Sequence, residues 1–200
     1  MIRFLKLFTL VVFCLKLMAF QASSTDSISS PFVISESDSI LLDSLNDLSY
    51  DLTFYDLDSA LLIIEEYISI SKKNNNYKIA DGITNKGYIH LQLGNHKTAL
   101  NCFFSVLKLG ENNSDSTQIS ESYNDIAMVY MESQQYEKAL NYYEKSLKIS
   151  RSQNDFKNIS FTLNNYGLVF LYLSDYDKAI EVFYEALELK ENSLEKETDI

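Results

Sequence analysis

One short stretch of this chain is written several times over. Residues 136–147 return at 176–187, forty positions later, and at 96–107, forty positions earlier, and a worn copy occupies 57–68. Repetition at such a period leaves few folds open. Each copy is one supersecondary unit that cannot bury its apolar face alone, so copies stack on their neighbours, and the usual size of a closed core sets no limit. Hydrophobic residues make up 46% of the chain and charged residues 22%, which is apolar enough to fold, and the single proline, Pro31, lies outside the repeats.

The spacing of apolar residues makes the units helical. Leu41, Leu45, Leu48 and Leu52 fall at three- or four-residue intervals. After residues 54–56 a second run follows with Leu57, Ala60, Leu61, Ile64, Tyr67 and Ile68, so the first unit reads as a helical hairpin, closed by a polar break at 71–76. Aligning the copies at forty gives columns with physical meaning. Ala60, Ala99, Ala139 and Ala179 share one, where a small side chain lets the second helix of a pair approach the first. Gly87, Ala127 and Gly167 are the counterpart on the first helix. Large rings stand beside them, His90, Tyr130 and Phe170 on the first helix and Phe103, Tyr143 and Phe183 on the second, so that knobs have holes to fill. Leu107, Leu147 and Leu187 follow, and Leu109, Ile149 and Leu189 close the second helix.

Junctions inside the pairs fall at 94–95, 134–135 and 174–175, with Asn95 and Asp175 suited to capping the next helix and Gln135 less so. Residues 110–117, 151–158 and 191–198 read as polar connectors between pairs. Glu144 and Lys148, four apart in the favourable order, are expected to pair on an exposed face.

At these columns the chain resembles the tetratricopeptide repeat family, whose small, aromatic and leucine positions recur in paired helices. The resemblance covers residues 39–198, as a degenerate first unit at 39–76 and three clearer ones at 77–116, 117–156 and 157–198, with 199–200 at the threshold of a further, truncated one. It implies an all-α fold, a right-handed superhelical solenoid of antiparallel helix pairs. Two departures stand out: the spacing is forty where the family's usual one is about 34, and Glu111, Arg151 and Glu191 stand where a proline often closes the unit. Both features are similar to the longer-repeat branch of bacterial regulators and kinesin light chains, which binds extended peptides or partner proteins.

The first helix of each pair in that family lines a concave groove. Its non-core columns here are Thr84, Asn124 and Asn164; Tyr88, Met128 and Leu168; and Gln92, Glu132 and Tyr172. The asparagines offer a donor and an acceptor each, which suits them to the backbone of an extended peptide whatever its sequence. These nine residues are the candidate peptide-binding set. Asn85, Asp125 and Asn165 stand beside them and are read as serving the helix pair itself. The family's basic clamp for a C-terminal carboxylate does not appear.

Other chemistries are poorly supplied. No phosphate loop, glycine fingerprint or nucleophile elbow occurs, and adjacent acids such as Glu65 and Glu66 point about 100° apart on a helix. The residues therefore point to a non-enzymatic chain with no cofactor. His90 and His96 are the only histidines, and Cys14 and Cys102 the only cysteines, too few and too dispersed for a metal site. His90 reads as a core residue in a ring column, and Cys102 as a small packed or partly exposed side chain rather than a nucleophile. A net charge of −11 repels phosphate backbones, which argues against nucleic acid as a partner.

Residues 1–24 place Arg3 and Lys6 before the apolar run 7–15, then Lys16 and a small-residue stretch in which Ala22 and Ser24 form a cleavage-site pattern. This reads as a signal peptide, too short in its apolar part to span a bilayer of about 30 Å. An N-terminal helix retained on the protein is the alternative, and a lipid anchor through Cys14 ranks below both. Residues 25–38, rich in Ser and Asp, read as a flexible spacer. The expectation is an exported scaffold of the periplasm or cell envelope that binds a protein or extended peptide. Contact with a membrane would come only through an uncleaved signal or a segment C-terminal to this sequence. The alternative is the ligand-sensing region of a larger membrane signalling enzyme of the two-component histidine kinase type. A purely structural role in an envelope complex is the third reading.

Overall fold

The computed structural model describes residues 36–74 and 78–198, with the side chains of 36–37 and 192–198 left aside. The expected signal peptide, the spacer before residue 36, the end of the polar break at 75–77 and the start of a further unit at 199–200 lie outside the described residues. Among those described there are eight helices and no strand: α1 (Glu36–Leu52), α2 (Leu57–Lys73), α3 (Ile79–Gln92), α4 (His96–Asn113), α5 (Ser116–Glu132), α6 (Tyr136–Ser152), α7 (Phe156–Tyr172) and α8 (Tyr176–Thr198). None is long and apolar enough to cross a membrane. The chain forms two compact units that divide inside α3, between Ile89 and His90.

In the first unit α1 and α2 form the expected hairpin. Leu42 and Leu45 of α1 meet Ala60, Ile63, Ile64 and Tyr67 of α2 in a buried core, to which α3 contributes Ile89. Asp56 caps α2, its carboxylate accepting from the Ser59 backbone N–H at 3.1 Å. Tyr67 shows how tightly α2 and α3 meet. Its ring is buried, its hydroxyl donates to the Lys78 carbonyl at 3.1 Å, and a Cβ added to Gly82 would lie 2.5 Å from the ring. Glycine at position 82 is therefore a close-approach residue.

The second unit repeats one pattern. Ala127 of α5 and Ala139 of α6 are fully buried against the Tyr143 ring, as the small-beside-large columns predict. Gly167 of α7 takes the same part for Phe183 of α8, whose ring would stand 2.6 Å from an added Cβ. The buried Ser146 hydroxyl of α6 donates to the Ser120 carbonyl of α5 within the pair at 2.7 Å and lies 3.3 Å from the Thr162 hydroxyl of α7 in the next.

The turns of this unit are all alike, which corrects the expected connectors. A residue with positive φ stands at Gly94, Ser114, Gln134, Asn154 and Ser174, every twenty positions, with φ between 54° and 72°. After each one a backbone N–H reaches back five residues. Asn95 donates to His90, Asp115 to Gly110, Gln135 to Tyr130, Asp155 to Ser150 and Asp175 to Phe170, all at 2.8 to 3.0 Å. This is the long bond of a Schellman C-cap, and it satisfies helix-end carbonyls that would otherwise be orphaned. The next helix starts at once, so the links between pairs are as tight as those within them. Residues 110–113 and 151–152, expected in connectors, are helical, and 191–198 belong to α8. They look like loop in sequence because 111–115 and 151–154 are solvent-exposed and polar. The forty-residue period is thus two equal halves, with helices of 17 or 18 residues in α4 to α7 rather than long connectors.

Capping also departs from expectation. Asp115 and Asp155 cap α5 and α7 with bonds of 3.0 and 3.1 Å to the Gln118 and Asn158 N–H groups, and Asp175 accepts from the Lys178 N–H at 3.4 Å. Asn95, expected to cap, makes no side-chain cap bond, and neither does Gln135. Backbone torsion separates the two sets: ψ is 94° and 80° at Asp115 and Asp155 but 59° and 63° at Asn95 and Gln135, short of the extended range of a capping residue.

Candidate functional face and a groove behind it

In the second unit the first helices of consecutive pairs, α5 and α7, lie side by side. Asn165 of α7 donates through Nδ2 to Asn124 Oδ1 of α5 at 3.3 Å. In the first unit Asn85 of α3 makes the same kind of bond to Asn46 of α1. These amides tie first helix to first helix, and so do not serve the helix pair as the sequence suggested; side-by-side amides are the shortest polar link between two parallel first helices.

That bond sorts the candidate residues. Asn124 is 3% exposed and already accepts from Asn165, whereas Asn164 is exposed beside it. Met128 is half-buried against the α5–α6 core, Leu168 is exposed, and Tyr172 is exposed with its ring stacked on Tyr136 at 5.8 Å. Glu132 is exposed at the end of α5, its carboxyl held above the ordinary range by partial desolvation, which the His96 charge opposes. Asn124, Met128, Glu132, Asn164, Leu168 and Tyr172 therefore fall on two adjacent helices. Thr84 and Tyr88 are half-buried on α3 in the first unit, and Gln92 is exposed at the end of α3. His90 is half-buried, Cys102 is buried, and no cluster of metal-ligating side chains exists among the described residues.

The far side of these helices holds two features that the columns did not single out. Between α4, α5 and α6, four rings fill the space. Tyr142 stacks on Tyr130 at 5.5 Å and meets Tyr123 at 6.0 Å and Phe104 at 6.3 Å, and the Lys145 ammonium sits 4.4 Å from the Tyr142 centroid. Between α6, α7 and α8 the corresponding space is a cavity of about 410 Å³. Leu147, Leu163 and Val182 line it with apolar surface, and Glu144, Lys148, Arg151 and Glu185 stand around it. Arg151 pairs with Glu185 at 2.6 Å. The Tyr166 hydroxyl donates to Glu144 at 3.1 Å, and that phenol is pushed up to about 12, first by burial and then by the Glu144 carboxylate. Glu144 is thus engaged by Tyr166 across the helices, and the expected pair with Lys148 does not form.

Comparison with known proteins places this geometry. A model of the tetratricopeptide repeat matches residues 79–152 and, overlapping it, 118–192, together more than half of the chain. The structure is similar to BtubC (BKLC) from P. vanneervenii, at 19% identity and a TM-score of 0.67 over 90% of this chain and 71% of that one. Aspartyl phosphate phosphatase F from Bacillus subtilis is similar at 13% identity and a TM-score of 0.69, over 80% of this chain and 42% of that one. The Rap conjugation gene regulator of the plasmid pLS20, solved in complex with the Phr* peptide, is similar at 15% identity and a TM-score of 0.65, over 82% and 47%. This chain thus spans less than half of the length of the last two. No curated protein matches it in sequence.

Proposed function

Because the chain belongs to the tetratricopeptide repeat family, we propose that it is a non-enzymatic scaffold that binds a protein or an extended peptide across its first helices. The observation that carries the reading is the Asn165–Asn124 bond. It fixes α5 against α7 and leaves Asn164, Leu168 and Tyr172 exposed in a row, an amide followed by two apolar contacts four residues apart. A peptide lying along that row would pair its backbone with the Asn164 amide and set alternate side chains against Leu168 and Tyr172. A fold-level relative, the Rap regulator, was solved with a peptide bound, which supports peptide as the ligand class. Thr84, Tyr88 and Gln92 on α3 are the corresponding candidates earlier in the chain.

The roles of the two asparagines differ. Asn164 is a direct contact in this reading, and Asn124 a positioning residue that acts through Asn165. With a partner captured from an envelope extract and purified, Asn164→Ala and Leu168→Ala are expected to weaken binding at least tenfold with helicity and melting temperature unchanged. Equal binding by both variants would remove this face from the account. We also propose export, on the strength of the charged, apolar and small-residue order of residues 1–24. Cell fractionation tests it, and a purely cytoplasmic pool would overturn it.

A further inference from the structure

The two spaces behind the first helices are equivalent by repeat. Adding forty to Phe104, Tyr123, Tyr142 and Lys145 gives Glu144, Leu163, Val182 and Glu185, and all four of these line the open cavity. One space is closed by the chain's own rings. The other is open because a tyrosine has become leucine, a second tyrosine valine and a phenylalanine glutamate.

We propose that the α6–α7–α8 groove is a second binding site, and that its occupant is an aromatic side chain of a partner protein. The neighbouring space shows what this geometry packs: rings against rings, with a lysine ammonium over one ring face. The open groove keeps the apolar half of that arrangement; Glu185 stands where Lys145 does, and its lysine, Lys148, comes from another position of α6. Leu147, Leu163 and Val182 form its apolar floor. Lys148 stands at its edge and makes no ion pair among the described residues, so its charge is available to a ring's electron-rich face, as that of Lys145 is to Tyr142. The Arg151–Glu185 pair links α6 to α8 beside the groove, one turn beyond Lys148. Single rings seated in such pockets commonly carry most of the energy of a protein interface.

The site is separate from the face formed by Asn164, Leu168 and Tyr172. A helix turns about 100° per residue, so Leu163 and Tyr166 sit on the side of α7 away from Asn164, Leu168 and Tyr172. The two sites can therefore fail independently.

The test uses N-acetylphenylalaninamide as a neutral probe of the ring, with N-acetylleucinamide as its aliphatic control, both titrated into the whole chain and read by methyl NMR. Saturable shifts at the Leu147, Leu163 and Val182 methyls are expected with the aromatic probe, at an affinity at least about threefold above the control. Leu163→Tyr with Val182→Tyr restores the rings of the neighbouring space and is expected to abolish the response at Leu147. Should that variant not fold, Lys148→Ala decides, because it leaves the core untouched and is expected to erase the preference for the aromatic probe. Asn164→Ala is expected to leave the titration unchanged. Equal affinity for the two probes, an undiminished response in the ring-filled variant, or an undiminished preference in Lys148→Ala would overturn the proposal.

Discussion

At position 143 the ring column carries a hydroxyl that its surroundings do not use. Tyr143 is fully buried, and its oxygen has no hydrogen-bond partner among the described residues. Burial, joined by the charges of Asp125 and Glu132, pushes its ionisation far above the usual value of 10.0. The equivalent rings, Phe103 and Phe183, have no hydroxyl to satisfy. A buried polar group left unpaired costs about 1–3 kcal/mol, so Tyr143→Phe is expected to stabilise the fold by ~1 kcal/mol in a denaturant titration at neutral pH. The same substitution should change the alkaline limb. Tyr143 and Tyr166 both hold their protons in the folded chain beyond pH 10.0, where the unfolded chain releases them, so the unfolded state binds fewer protons and stability falls as pH rises. Removing one of the two phenols makes that fall shallower, and unfolding followed between pH 9 and about 12 measures it. Sequence alone showed a ring column here, because rings recur at forty. It could not show the orphaned hydroxyl, which depends on what α5 and α6 place around it.

At the scale of elements, the sequence was clearest where packing demands one kind of residue and least clear where geometry accepts several. Only a small side chain fits between paired helices, so the alanine and glycine columns were legible, and Gly167 against Phe183 is their outcome. The left-handed residue of each turn is by contrast Gly, Ser, Gln, Asn and Ser in succession, five turns of one shape with no shared letter to announce it. The cost of positive φ is small enough, about 1–2 kcal/mol, for the returning backbone bonds to outweigh it at non-glycine positions. Caps divide the same way. Asp155 bonds the start of α7, whereas Asn95 has the right side chain on a backbone turned too far to use it. Asp155→Ala is therefore expected to cost about 0.5–2 kcal/mol and Asn95→Ala only a few tenths, a difference readable in paired thermal melts. Equal losses would mean that Asn95 caps α4 in solution.

Over the whole molecule, equal letters do not carry equal weight. Leu107, Leu147 and Leu187 share a column, but the first two are 8% and 4% exposed and the third is 50% exposed. The reason lies in what the next pair supplies. Leu147 packs with Ile159 and Leu163 of α7, the first helix of the following pair, whereas the described residues place no such helix against Leu187. In an array held by neighbour contacts, the energy of a position is set by the interface it joins more than by its residue type. The candidate faces obey the same logic: Asn124 and Asn164 share a column, yet one is locked under a neighbouring amide and the other is open, and the same column offset turns a ring-filled space into a groove. Periodicity thus located the scaffold, and departures from it mark the candidate sites. Leu147→Ala is expected to cost about 2–5 kcal/mol, as deletion of a buried leucine in a packed core does. Leu187→Ala should stay within about 0.5 kcal/mol, as for a surface change. Chemical denaturation of both variants checks this, and similar losses would show that Leu187 is covered in solution by something that α8 meets there.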